Sequence, residues 1–236
     1  MEADKALKAG PEKVKAYQAL QKELYPPSLT LSAIATKYSD PTYISKNALV
    51  EANISQTLDA LNDMAEVMAV LEEYVTLNIP KMEDGNNFGV TVQMSAQQHL
   101  TQVQDDLAKD MEDLLKYKAT RADALEKCKL PSKATTVSTT LSETESKGKT
   151  TKDGDQESRD NKTSKESKTT ETGQTESPDV VLRAEAVQAV DVMYYGRAKA
   201  ALRYGLVGFM NVLNFFELNQ DKIDKPKGTR GSSGMY

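Results

Sequence analysis

The stretch KNALVEANISQTLDALNDMAEVMAVLEEYVTLNI, residues 46–79, decides the fold. Its apolar residues Val50, Ile54, Leu58, Leu61, Ala65, Met68, Leu71 and Val75 are spaced by 4, 4, 3, 4, 3, 3 and 4, which is one face of a helix. Pro80 stops that helix, because the residue before a proline is pushed out of helical geometry. A long helix with one apolar stripe needs partners, and the flanking sequence supplies them. From about Val90 to Leu130, the residues Leu100, Val103, Leu107, Met111, Leu114, Ala122, Leu125 and Cys128 form a comparable stripe. Gln97, Gln98, Gln102, Gln104, Asp105, Asp106 and Lys109 keep its other faces polar. Toward the N-terminus, Pro11 to Tyr38 reads as a further helical segment. Pro11 suits its first turn, and Pro26-Pro27 must kink or interrupt it. Ser39 to Ser45, with Asp40-Pro41, is a connection.

A last segment, about Asp179 to Ile223, is apolar on nearly every side over its second half. Val187, Val190, Met193, Tyr194, Leu202, Leu206, Phe209, Val212, Leu213, Phe215 and Phe216 leave it little polar surface, as expected of a helix buried from several directions. Before it, Pro131 to Pro178 holds 20 Ser/Thr and 17 charged residues in 48 positions, with Val137 and Leu141 as its only large apolar side chains. Such a stretch buries too little to offset its backbone entropy, so disorder is expected there. The predicted fold is all-α: an elongated up-down four-helix bundle with a long disordered linker between helices three and four. Residues 1–130 hold helices one to three, 131–178 the linker, 179–225 helix four, and 226–236 a flexible tail. Segments of roughly 30 to 45 residues give helices ~45–65 Å long. Their apolar surface exceeds what one bundle covers, so the bundle is expected to associate with copies of itself.

Composition removes several function classes. The 236 residues include one His (His99), one Cys (Cys128) and no Trp. A His/Cys metal site needs three or four such ligands, so no metal or other cofactor is expected. Cys128 has no evident third group to complete a Cys–His catalytic pair. A disulfide within the chain is impossible, in keeping with a reducing compartment. The net charge of -5 argues against nucleic-acid binding, which needs a clustered basic surface. The first residues have no apolar run of a secretory signal. The most apolar window, Ala198 to Leu218, is interrupted by Lys199, Arg203, Asn211 and Asn214, so no membrane span is expected. A cytoplasmic or nuclear setting follows, and the N-x-S/T triplets at Asn53 and Asn161 are chance matches.

Two features exceed what a plain bundle needs. Between the second and third segments lies IPKMEDGNNFGVTVQ, residues 79–93. Asp84-Gly85-Asn86 is ample for a turn, yet this loop adds two adjacent carboxylates, two adjacent amides and a Phe between Asn87 and Gly89. The second feature is KPKGTRGSSGMY, residues 225–236: a Gly/Ser tether ending in Met235 and Tyr236 beside the free carboxylate. A bulky pair on a tether fits capture of a terminal carboxylate by a partner.

The run PKMEDGNNFGVTVQ, Pro80 to Gln93, resembles the activation loop and the start of the third helix of the 11S proteasome activators, the REG family. Gly234-Met235-Tyr236, with Lys225-Pro226-Lys227 before them, is similar to the tails of those proteins. The loop match is long and specific; the tail match is short. The order of four helices, loop and tail agrees with the family, although its well-known animal members carry their long insert between helices one and two. The resemblance implies a non-enzymatic, ATP-independent activator that forms a heptameric ring and caps the α-ring of the 20S proteasome. By the same resemblance Gly234, Met235 and Tyr236 supply docking. Lys81, Met82, Glu83, Asp84, Gly85, Asn86, Asn87, Phe88 and Gly89 form the loop that opens the gate. Asn86 matches the position central to that contact, and Gly85 and Gly89 shape the turn. Alternating helix directions put loop and tail at one end of the bundle and the linker at the other.

The rival expectation is an adaptor or scaffold of another complex, with the loop as a capped turn. A membrane-surface role would need a basic amphipathic helix, and the polar face of the third segment is mixed. An enzyme is disfavoured too: Glu83-Asp84 on an exposed turn reads as solvated. His99 reads as a surface or pore-facing residue, Cys128 as a minor core or surface residue, and Met64, Met68 and Met111 as core filler.

Overall fold

The computed structural model describes residues 2–82, 87–128 and 178–227, where all the regular structure is helical. In order the helices are α1 (Glu2–Leu24), α2 (Leu31–Tyr38), α3 (Thr42–Ser45), α4 (Ala48–Asn78), α5 (Phe88–Leu115), α6 (Tyr117–Cys128) and α7 (Pro178–Asp224). Residues 131–177 of the expected linker, loop residues Glu83, Asp84, Gly85 and Asn86, and the tail residues Gly234, Met235 and Tyr236 lie outside the described residues, whereas Pro178, expected to end the linker, begins α7.

The helix read from residues 46–79 forms as α4. The Asn47 side chain accepts from Val50 N at 3.3 Å and caps its start. Ile79 leaves helical geometry just before Pro80. Val50, Ile54, Leu61, Met68, Leu71 and Val75 are buried as the stripe requires, with Leu58 and Ala65 packed at its edge.

Two segments differ from expectation. Helix α1 starts at Glu2, so Pro11 sits inside it rather than in its first turn. The helix survives the proline because its buried residues Ala3, Gly10, Tyr17 and Leu24 recur every seventh position on both sides of it. A seven-residue repeat keeps one seam facing the neighbouring helices. Pro26-Pro27 end α1, and α2 and α3 follow as short pieces. The third segment is likewise two helices. At Lys116 the backbone N–H turns to the carbonyl of Asp113, 3.2 Å away, and the tightened turn ends α5. The break rotates the register, so Tyr117 and Arg121 enter the interior and Ala122 is exposed.

Helix α7 packs against all six other helices of the described residues. Tyr194, Tyr195, Ala198, Leu202, Phe209, Val212 and Phe216 are its buried spine. It pairs along its length with α4, and α1 and α5 flank that pair. Both ends show the directions. At one end Asn78 of α4, Gln93 of α5 and Ile223 of α7 meet. At the other, Asn47, Arg121 and Asp191 meet. Helices α4 and α7 therefore run parallel, with α5 and α6 antiparallel to both. Tyr25, just past the end of α1, lies against Asn53 and Thr57, and Gly10 lies against Leu213, so α1 is antiparallel as well. This is the up-down bundle expected from the sequence.

The end from which α6 leaves and α7 enters is fastened by polar groups. The Asp191 carboxylate, almost fully buried, accepts from Tyr117 Oη at 2.8 Å, Arg121 Nε at 2.9 Å and Asn47 Nδ2 at 3.0 Å. Arg121 also donates to the carbonyls of Tyr43 and Ile44 at 2.6 and 3.1 Å. One ion pair thus joins α3, α4, α6 and α7.

Candidate functional site

The opposite end carries the roots of both segments singled out in the sequence. The loop leaves α4 after Asn78 and enters α5 at Phe88; the tail leaves α7 after Asp224. Phe88 and Gly89, expected in the loop, form the first turn of α5 instead. Asn87 holds the N-cap position, and its carbonyl accepts from Thr91 N at 3.0 Å. Lys81, Met82 and Phe88 are exposed.

Loop root and tail root touch directly. Gly89 is buried against the backbone of Pro226, and a Cβ there would fall on that backbone, closer than any real contact. The absence of a side chain is therefore what lets α7 end beside α5. Lys222 Nζ lies 5.9 Å from the centre of the Phe88 ring, within reach of a cation–π attraction. Tyr74 of α4 donates to Asp224 Oδ1 at 2.6 Å. Partial burial, and then the Asp224 carboxylate, push the Tyr74 phenol up to about 12.

Gln93, fully buried in the second turn of α5, is the residue that sequence reading passed over. Its Nε2 donates to Ile223 O at 2.7 Å and to Asn78 O at 3.1 Å. Both acceptors lie in the last turns of their helices, where carbonyls have no partner within the helix. One side-chain amide thus spends its two hydrogens on the ends of the two parallel helices. The only sequence signal was a Gln in an otherwise apolar position, four residues after Gly89.

No other constellation competes among the described residues. None of their His, Cys, Asp and Glu side chains gather in threes to hold a metal ion, and none of their helices is long and apolar enough to cross a membrane. His99 is half-buried, with its ring 6.1 Å from that of Phe215. The side chain of Cys128 lies outside the described residues. A groove of about 510 Å³ beside the α5–α6 break is lined by apolar side chains such as Leu58, Leu114 and Leu115, with Glu51, Ser55 and Lys118 among them.

The fold is that of an 11S subunit. The crystal structure of the 11S subunit of the Plasmodium falciparum proteasome, PA28, superposes with a TM-score of 0.60 at 16% identity, over 96% of this chain and 87% of that one. The sequence comparisons point the same way: residues 43–151 match the family model of the C-terminal part of the proteasome activator PA28. Proteasome activator 28 of Dictyostelium discoideum is 30% identical over 84 residues, 36% of this chain and 37% of that protein. Proteasome activator complex subunit 3 of Homo sapiens is 29% identical over 92 residues, 36% of each chain. The matched stretch spans little more than a third of the length of these curated relatives. The family that these comparisons return, the 11S or PA28 proteasome activators, is the one that the loop and tail resemble. The family-model match stops short of α7, so the likeness of that helix rests on the superposition.

Proposed function

We propose that this chain is an ATP-independent, non-enzymatic activator of the 20S proteasome, acting as a ring, a heptamer by analogy with the family, in the cytoplasm or nucleus. Its tails, through Gly234, Met235 and Tyr236, dock in pockets between α-subunits. Its loops, Lys81 to Gly89 with Asn86 at the contact, open the axial gate. The observation that carries this reading is the meeting of loop root and tail root at one end of the bundle, Gly89 against Pro226 and Gln93 on Ile223. Both elements then face one partner surface.

The two have different physical tasks. A short tail makes a small contact, but several tails on one rigid ring act at high effective concentration, and avidity can exceed single-site affinity by ~10²–10⁴. The loop has only to favour the open gate over the closed one, since equal contact with both would shift nothing. The test is fluorogenic-peptide hydrolysis by purified 20S particles with and without this protein. Removal of Tyr236 should abolish binding and stimulation together, whereas Asn86→Tyr should still bind but fail to stimulate. A scaffold of another complex would leave hydrolysis unchanged by the protein in every form.

A further inference from the structure

We infer that Gln93 is a positioning residue that fixes the loop relative to the tail, and so determines how well a docked ring opens the gate; this rests on the proposed function. The loop hangs between the end of α4 and the start of α5, and the tail extends from the end of α7. Unless those three helix ends hold fixed places, tails gripping one surface would not present the loops at a defined height above it. Gln93 touches all three: it stands on α5 and donates to Asn78 O of α4 and Ile223 O of α7. These carbonyls belong to different helices and have no bond to each other; Tyr74 also ties α4 to Asp224, but the common donor is the one group among the described residues that holds both helix ends to α5 as well. The amide can sit only one way round, because the reverse orientation would turn Oε1 on two carbonyl oxygens. Oε1 is buried and has no donor among the described residues, so the two carbonyls alone orient the side chain. A residue serving only packing would be apolar here, since burying an amide with one unmatched acceptor is costly. Gly89 guards the same junction from the side of Pro226.

Gln93→Met keeps the volume and removes both donors; Gly89→Ala leaves Gln93 intact and drives the Pro226 backbone from α5. The full-length proteins are assayed with purified 20S particles for the concentration giving half-maximal stimulation and for maximal stimulation. Hydrogen exchange of the free proteins is followed over residues 74–78 and 219–227. Both variants should keep the half-maximal concentration within about twofold, since the tails still dock, while maximal stimulation falls about tenfold. Exchange at the α7 end should rise about tenfold in each variant without proteasome present. Unchanged maximal stimulation in both variants, beside a stimulating wild type, overturns the inference. So does a loss in which half-maximal concentration and melting temperature move together with stimulation, the mark of a merely structural role. A wild type that stimulates nothing overturns the proposed function instead, and the exchange measurement still decides whether Gln93 joins the helix ends.

Discussion

The side chain with most at stake for stability is Asp191. It is a buried carboxylate that accepts from three side chains, Tyr117 and Arg121 of α6 and Asn47 at the cap of α4, and its charge is matched by one guanidinium. Burying such a pair gains little overall, but removing one member strands the other in a low-dielectric interior and costs about 3–5 kcal/mol. Arg121→Met should therefore lower the free energy of unfolding in urea by about that amount. Arg121→Met with Asp191→Leu should recover much of it, because no charge is then left alone. A loss under about 1 kcal/mol for the single change would mean that water reaches Asp191. Asn47 shows how economical this junction is: its oxygen caps α4 while its nitrogen donates to Asp191.

At the scale of helices, α4 and α7 were legible because periodicity is a strong signal when the apolar positions carry large side chains. Val50 through Val75 and Leu202 through Phe216 are of that kind. Helix α1 was harder, since two of its four buried seam positions are Ala3 and Gly10, which carry little hydrophobic signal. The break at Lys116 had no proline or glycine to announce it, so Ala122 was assigned to the stripe that Arg121 occupies. At the junction of loop and tail, residue types were readable, but Gln93 was not, because its partners are backbone carbonyls far away in sequence. The proline in α1 gives a prediction at this scale. Pro11 is exposed and removes a backbone donor from the helix interior, a defect worth up to about 3 kcal/mol. Pro11→Ala should raise the thermal unfolding midpoint. A lowered midpoint would mean that α1 does not run unbroken through this point.

For the molecule as a whole, tyrosine burial sets the alkaline limit of the fold. Burial raises the phenols of Tyr17, Tyr25, Tyr38, Tyr117 and Tyr195, with Tyr25 pushed up to about 12. Each is neutral when folded and ionises near its ordinary value of about 10 once unfolded. Their stabilisation is thus complete below about pH 10 and is lost as the pH climbs toward the folded values. Phenolate absorbance and loss of helical circular dichroism should rise together above about pH 10. Full phenolate formation with helix content intact would contradict the burial of these rings. The central place of α7 has a consequence for how such a chain is made. On the ribosome, the first three long helices emerge with Leu61, Met64, Leu71, Leu100 and Leu107 facing an empty trough, and the segment that fills it is translated only after the Ser/Thr-rich stretch. Closing the loop so formed becomes costlier only slowly with length, about 0.6 kcal/mol per doubling. That stretch can therefore lengthen or shrink over evolutionary time with little thermodynamic penalty, while the nascent protein's exposure to chaperones grows with every codon added.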